Sequence, residues 1–441
     1  MNPENLKSEI SSLLNRPIQL GTNRMPQLKV LVVGASIAGP TTAYWLAKAG
    51  AKVTVIERFP ELRNNGHVVD IRTLGVLVMR KMEGLEAAVK AKAVPMDGIS
   101  IVDDSGHPYI IITATGNPDQ QSLVSEYEIN RGDLVKIFYQ MTKDNGNINY
   151  VFNEQVASMQ QKEQEEDSPI TVEFLNGSPT SEYDLVVACD GAASRTRAMG
   201  LECGIRDYVQ PTNSWVAFFS IKEDLLEGSK IGKAHNAIGG RLFGIGQNPM
   251  GGNRAVIQSL NAGNLPQFRE ARDKGVHHLK QFVAQHYEGA GWKIDELLKC
   301  MMESEDFYAN EITHIKPPTL FKGRFVLVGD AGYGGSAGTG TSLAMTGGYL
   351  LAGEILKNEG NLAAGLRGYE EKMLPYVKEL QTVPLFLYSV LGPQTAWGLW
   401  IRNKILAFIS WTGIIGFVQK HFAAGFANGN KYTLPEYEWV S

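Results

Sequence analysis

The sequence predicts an α/β fold: a Rossmann-like nucleotide-binding domain, a second β-sheet domain and C-terminal helices. Three observations predict it. Apolar, β-branched runs feed glycine-rich turns and then helical patterns at Leu28–Arg58, Tyr183–Arg197 and Arg324–Asn358. Between the second and third of these lie strand-like runs bounded by Gly, Asn and Pro. Beyond about Gln381 the chain is rich in Trp, Phe and Leu. At 441 residues it also exceeds what one small core organises.

The first junction reads LKVLVVGASIAGPTTAYWLAKAGAKVTVIER, Leu28 to Arg58. A strand, a turn with Gly34 and Gly39, a helical pattern and a second strand ending at Glu57 make a βαβ unit. Glycines let the backbone approach a pyrophosphate, whose charge rests on the amides opening the helix. An acidic residue about 20 positions on accepts hydrogen bonds from an adenosine ribose. Gly34, Ser36, Ile37, Ala38 and Gly39 are therefore assigned to the turn, and Glu57 with Arg58 to the ribose end. Ser36 stands where the middle glycine of the fingerprint belongs. A glycine-punctuated turn in some other α/β sheet is the alternative reading.

The second junction, YDLVVACDGAASRTR (Tyr183 to Arg197), is an apolar strand running into Asp190-Gly191. The third, GDAGYGGSAGTG (Gly329 to Gly340), follows RFVLV and precedes TSLAMTGGYLLAGEILKN. Alone, one reads as any Asp-Gly turn and the other as a flexible loop.

In this order, the three junctions resemble those of the FAD-dependent monooxygenases of the para-hydroxybenzoate hydroxylase type, the class A flavoprotein hydroxylases. The resemblance runs from about Leu28 to about Tyr376. Within that family the chain looks closest to the tetracycline-destructase-like branch. GHVVDIRTLG at Gly66–Gly75, YEINRGDLVKIF at Tyr127–Phe138, the TSLAMTGGYLLAGE helix and a C-terminal LPEYEW carry that likeness.

The resemblance implies a domain order. Residues 1–26 form a leader. An FAD-binding domain takes 27–97, 123–200 and 305–380, a substrate-binding sheet takes 98–122 and 201–304, and a helical tail takes 381–441. It also implies roles. Glu57 holds the adenosine ribose. Arg131 contacts the FAD pyrophosphate, a task suited to a permanently charged, forked donor. Asp330 accepts from the ribityl hydroxyls. Asp190 joins the FAD- and NADPH-binding surfaces. Asp70 and Arg72 bring a loop close to the isoalloxazine, with Arg72 toward substrate, and Arg63 is the NADPH candidate. Gly338, Thr339, Gly340 and Thr341 offer a helix N-terminus to the negative edge of reduced flavin.

The reaction so implied uses NADPH or NADH to reduce FAD and O2 to form a flavin C4a-hydroperoxide. Hydroxyl transfer then goes to an aromatic or polycyclic small molecule, polyketide- or tetracycline-like. No second GxGxxG unit follows Gly75, which fits a transiently bound nicotinamide. The third junction departs from the family pattern. Tyr333 replaces a histidine, a proline is missing, and Gly334, Gly335 and Ser336 fill a shortened segment. An FAD-binding enzyme acting as oxidase, epoxidase or non-redox cyclase or isomerase therefore stays open.

Substrate is expected against the second sheet, whose strands are GISIVDD, HPYIIIT, TNSWVAFFSI, AHNAIGGRLFGIGQN and NRAVIQSL. Trp215, Phe219, His235, Arg241 and Phe243 are its candidate contacts, with core packing as the other reading of each aromatic. Trp397, Trp400 and Trp411 line an entrance, bury apolar surface or, if exposed, form a patch suited to a membrane face or a dimer. The run KEQEED, Lys162 to Asp167, reads as a solvated hairpin tip.

Composition narrows the remainder. With 46 acidic against 42 basic residues the net charge is −4, and no basic block suggests a nucleic-acid partner. Cys189, Cys203 and Cys300 show no CxxC spacing, pointing to a reducing, cytoplasmic setting. The N-terminus lacks signal-peptide features. The apolar stretch Ile405–Val418 is shorter than the ~20 residues a membrane span needs, so a buried or surface-lying helix is expected. No metal-ligand spacing, GxSxG elbow, WxWxIP segment or His-rich C-terminal region occurs. A monomer is expected.

Overall fold

The computed structural model describes residues 27–63, 66–116, 121–122, 124–162, 168–248, 251–335, 338–381, 390–414 and 433–440. The leader at 1–26, the charged run at 163–167, Ser336 of the glycine-rich loop and residues 415–418 of the apolar C-terminal stretch lie outside them.

Two large sheets organise the described residues. The first runs in the order Phe321–Lys322, Phe325–Leu327, Leu185–Ala188, Lys29–Val33, Lys52–Glu57, Ile148–Phe152. Lys29–Val33 pairs in parallel with Lys52–Glu57 on one side and Leu185–Ala188 on the other. The chain order thus reverses at Lys29–Val33, and ligands of open α/β sheets bind at the carboxyl ends beside such a reversal. Val30, Leu31 and Val32 are wholly buried, as expected where both faces of a parallel sheet are covered. The helices Ala38–Lys48 and Gly340–Lys357 pack closely together. A Cβ at Gly348 would stand 2.9 Å from the Thr42 hydroxyl. This brings the starts of both helices to one end of the sheet.

The second sheet has seven strands: Tyr308–Ile315, Val209–Ile221, Asn253–Ser259, Arg241–Gln247, Ile231–Ala237, Gly98–Val102 and Pro108–Thr113. It contains the runs expected from the sequence. The helices Leu265–Asp273, Val276–Tyr287 and Ile294–Glu303 back one face, and their Phe268, Tyr287 and Leu297 share a core with Trp215, Phe219 and Phe243. Its other face turns toward the two-stranded ladder Val68–Asp70/Glu128–Asn130, where Arg254 donates to Asn130 Oδ1 at 3.2 Å.

The C-terminal part splits in two. The helix Ala396–Thr412 packs on the edge strand Pro108–Thr113. Residues 433–440 return to the first core, where the Trp439 ring lies 4.7 Å from Trp45 and the Tyr437 hydroxyl donates to Glu354 Oε1 at 2.6 Å. Burial of apolar surface by Trp397, Trp400 and Trp411 is not what the fold does with them. They are 72, 54 and 82% exposed, because the helix turns its opposite side to the sheet. Among the described residues no helix is long and apolar enough to cross a membrane.

Candidate functional site

A cavity of about 620 Å³ opens where the two sheets meet, within the range of cofactor sites. All three junctions reach it. Ser36, Ile37 and Ala38 line it from the first, Asp190 and Gly191 from the second, and Asp330, Gly338, Gly340 and Thr341 from the third. Glu57, Arg58 and Arg63 line one end, and Asp70, Arg131, His67 and Phe218 complete the wall.

At the first junction the turn is sterically forced. A Cβ on Gly39 would stand 1.8 Å from the Gly34 carbonyl oxygen, and Gly34 itself has φ +109° against Cys189. Gly39 itself does not line the cavity; it lets the turn close. The helix behind it starts at Ala38 with no side-chain cap and no acidic residue in its first turn. Its opening amides therefore remain for an anion in the cavity. Glu57 accepts from Ala35 N at 2.9 Å and Phe59 N at 3.2 Å, pinning the same turn. Arg58 and Arg63 both lie over the Phe59 ring, at 4.8 and 5.0 Å. Arg131 donates to Ser36 Oγ at 2.8 Å, which brings a fixed positive charge to the turn.

The second and third junctions are joined by Arg197. Its guanidinium is completely buried and donates to Ala331 O at 2.9 Å, Ala192 O at 3.0 Å and Ile205 O at 3.0 Å. Asp190 accepts from Ser194 Oγ at 2.5 Å and Thr196 Oγ1 at 2.9 Å, and burial raises its pKa. Asp330 is exposed to the cavity, where desolvation by the surrounding protein raises its pKa while Arg131 pulls the other way. The helix Gly340–Lys357 again starts without a side-chain cap or a first-turn acid. Thr339 does not line the cavity, and its buried hydroxyl has no hydrogen-bond partner among the described residues. Tyr333 turns inward, its hydroxyl 3.2 Å from that of Tyr369. Gly347 makes the room, since a Cβ there would lie 1.9 Å from the Tyr333 oxygen.

On the opposite wall, Asp70 ion-pairs with Arg72, whose guanidinium also donates to Ser122 O at 2.5 Å. Arg72 thus holds Asp70 rather than lining the cavity itself. His67 Nδ1 lies 2.5 Å from the Tyr308 hydroxyl, and its ring stacks on Phe218 at 4.7 Å. Burial, with Arg131 and Arg254 nearby, lowers the His67 pKa to about 4, so the imidazole is neutral. Burial pushes Tyr308 up to about 12. His67 precedes the strand Val68–Asp70, and nothing in its spacing marks it in the sequence. Phe218 was within reach as the neighbour of Phe219.

The five candidate substrate contacts are not brought to this cavity. Trp215 stacks on Phe268 at 5.1 Å and donates to Asn264 Oδ1 at 3.0 Å. Phe219 packs against Phe307 at 6.4 Å, and Phe243 stacks on Trp292 at 5.9 Å. His235 Nδ1 is 3.0 Å from Val102 O, and Arg241 donates to Ile238 O at 3.0 Å and His286 O at 3.2 Å. All five lie on the helix-backed face. Successive strand residues point to opposite faces, so the cavity side belongs to the alternate set. Phe218 pairs with Tyr308 and Val256, and Val256 with Gly244, placing these residues on one face.

Comparison with known proteins agrees with this architecture. The family profile described as an FAD binding domain matches residues 27–222. The chain is 34% identical over 416 residues to the FAD-dependent monooxygenase asL4 of Sarocladium schorii, covering 88% of this chain and 93% of that protein. It is 32% identical over 423 residues to the monooxygenase CTB7 of Cercospora beticola, covering 93% and 98%. Among solved structures, the tetracycline destructase Tet(55) superposes with a TM-score of 0.73 at 29% identity, over 94% of this chain and all of that one.

Proposed function

The chain belongs to the FAD-dependent monooxygenases, and from that premise we propose that it hydroxylates an aromatic or polycyclic small molecule, using NAD(P)H and O2. One observation carries the reading. A single cavity is lined by two uncapped helix starts, at Ser36, Ile37 and Ala38 and at Gly338, Gly340 and Thr341, and by Phe218 of the second sheet. Cofactor groove and substrate sheet therefore share one space.

The residues fit FAD. The uncapped start at Ala38, with Arg131 beside it, suits a pyrophosphate, and Glu57 with Arg58 suits the adenosine end. Asp330 offers a cavity-facing carboxylate to ribityl hydroxyls, and Thr339 in the same loop has a hydroxyl without a partner among the described residues. Gly338, with open space where a side chain would stand, and Gly340 and Thr341 leave backbone amides for the pyrimidine edge. When bound and reduced, FAD supplies the activation of O2 and transfer of one oxygen atom, the other leaving as water.

The chain's own work is binding and orientation. The neutral His67 ring stacked on Phe218 gives a flat, uncharged wall suited to a planar ring. Asp70, tethered by Arg72, adds a polar group at that wall. Asp190 and Arg197 keep the second and third junctions in register, and Arg63 is retained as the nicotinamide contact. In this reading residues 27–97, 123–200 and 305–380 hold the cofactor, except that the strand Tyr308–Ile315 joins 98–122 and 201–304 in the sheet that holds substrate, and the enzyme works as a cytoplasmic monomer without nucleic acid.

The relatives named as monooxygenases support the reaction, and the tetracycline destructase neighbour supports a polycyclic, tetracycline-like substrate. The test is NADPH oxidation and O2 uptake by the purified yellow protein across phenolic polyketides and tetracyclines. Substrate-stimulated NADPH oxidation with a product heavier by one oxygen is expected. Flavin reduction that no compound accelerates overturns the hydroxylase reading.

A further inference from the structure

The helix Ala396–Thr412 is apolar on both sides. One side packs on the edge strand Pro108–Thr113 and buries Arg402. The other exposes Trp397, Trp400, Ile401, Ile405, Phe408 and Trp411 by 72, 54, 45, 53, 57 and 82%. At helical spacing these six and Lys404 form one stripe roughly 140° wide. An all-round apolar helix is ordinarily covered on every side.

Charge selects what covers this one. From Thr382 to Pro435 there is no Asp or Glu, where the chain's average would place about six, whereas Arg402, Lys404, Lys420 and Lys431 fall within it. The whole chain carries −4, so this basic, acid-free stretch stands against the general sign. Lys404 sits within the apolar stripe, its ammonium 5.9 Å from the Trp400 ring centroid. Protein–protein interface cores are depleted in lysine. A phospholipid surface accommodates it, with the stem among acyl chains and the ammonium at phosphate level. Tryptophan likewise favours the membrane–water boundary.

We propose that this helix lies flat on an anionic phospholipid surface and docks the enzyme there through its Trp-rich stripe. Lying flat fits a helix of 17 residues in a chain whose described helices are too short or too polar to span. Apolar burial supplies the attraction, and the basic residues bias it toward anionic lipid.

The test is flotation of the full-length, flavin-loaded protein with phosphatidylcholine vesicles, with and without phosphatidylserine. Co-flotation with the phosphatidylserine vesicles, weakened by salt and accompanied by a blue shift of Trp emission, is expected. Trp397→Ser/Trp400→Ser/Trp411→Ser should lower bound protein by about tenfold or more, and Lys404→Glu should reduce the preference for anionic lipid. Flavin content reports that both variants stay folded, since these side chains are exposed. Absence of wild-type flotation overturns the proposal. So does flotation that survives the triple substitution, or a dimer of wild type whose dissociation by the same substitutions accounts for all covering of the stripe.

Discussion

Asp70 and Glu128 face each other as a register pair in the antiparallel ladder between Val68–Asp70 and Glu128–Asn130. Burial, with the Asp70 carboxylate opposite, pushes Glu128 up to about 8. Burial also raises Asp70, against the pull of Arg72. At neutral pH this pair retains a proton beside the cavity wall.

The pair makes stability depend on pH in a defined direction. The Glu128 carboxyl sits above its ordinary 4.5, so between there and about 8 the folded protein holds more protons than the unfolded chain. Stability contributed by that proton is complete below the lower value and is lost as pH rises through the upper one. Thermal unfolding should therefore move to lower temperature across this window. Glu128→Gln, which keeps a neutral side chain, should flatten the profile. Parallel profiles for the two proteins contradict the assignment.

Phe218 and Phe219 separate the two faces of the second sheet. Phe219 is wholly buried, and its truncation to Ala should cost about 3–5 kcal/mol in urea unfolding. Phe218 is only partly buried and stacks on His67, so Phe218→Ala should cost about 1 kcal/mol while raising the KM for substrate. A larger stability loss at Phe218 than at Phe219 reverses the face assignment.

The same pair marks how far the sequence is legible. The turn at Gly34–Gly39 and its acidic partner Glu57 lie in one contiguous βαβ unit, so spacing alone reveals them. The second sheet gives no such signal. Each of its faces mixes apolar and polar residues, Phe218 and Val256 with Arg254 on one and Phe243 with His235 and Arg241 on the other, so composition does not say which face meets the cofactor. Trp215, Phe219 and Phe243 consequently drew notice as large aromatics while belonging to the helix-backed side. His67 escaped because the partner that defines it, Tyr308, is 241 residues away. The inward turn of Tyr333 likewise depends on the space at Gly347, a contact spacing does not encode.

Arg197 is expected to be the least replaceable residue of the second junction. Arg197→Met leaves the buried carbonyl of Ala331 and the part-buried bonds to Ala192 and Ile205 without this donor. A loss of about 3 kcal/mol or more is expected, together with a lower flavin-to-protein ratio, because the loop carrying Asp330 is held through Ala331. Arg197→Lys should recover part of the stability through a single ammonium. Near-normal unfolding of the Met variant argues against the splice.

Asp330 tests the cofactor assignment most directly. Its carboxylate opens into the cavity at the mouth of the Gly340 helix, where desolvation by the surrounding protein raises its pKa and a donating ligand would be favoured. Ribityl hydroxyls are such donors. Asp330→Ala removes the acceptor and should weaken FAD binding by roughly tenfold to a hundredfold, the range for a hydrogen bond to a charged group. Asp330→Asn keeps an acceptor of the same shape and should fall between wild type and Ala. The apoprotein should not be destabilised by Asp330→Ala, since the side chain is exposed to the cavity and its truncation leaves no void in the core. Flavin fluorescence quenching on titration into apoprotein measures the first effect, and thermal unfolding without flavin measures the second. Stoichiometric flavin in the Ala variant places the ribityl chain elsewhere. Loss of flavin with a collapsed apoprotein instead makes Asp330 a structural residue.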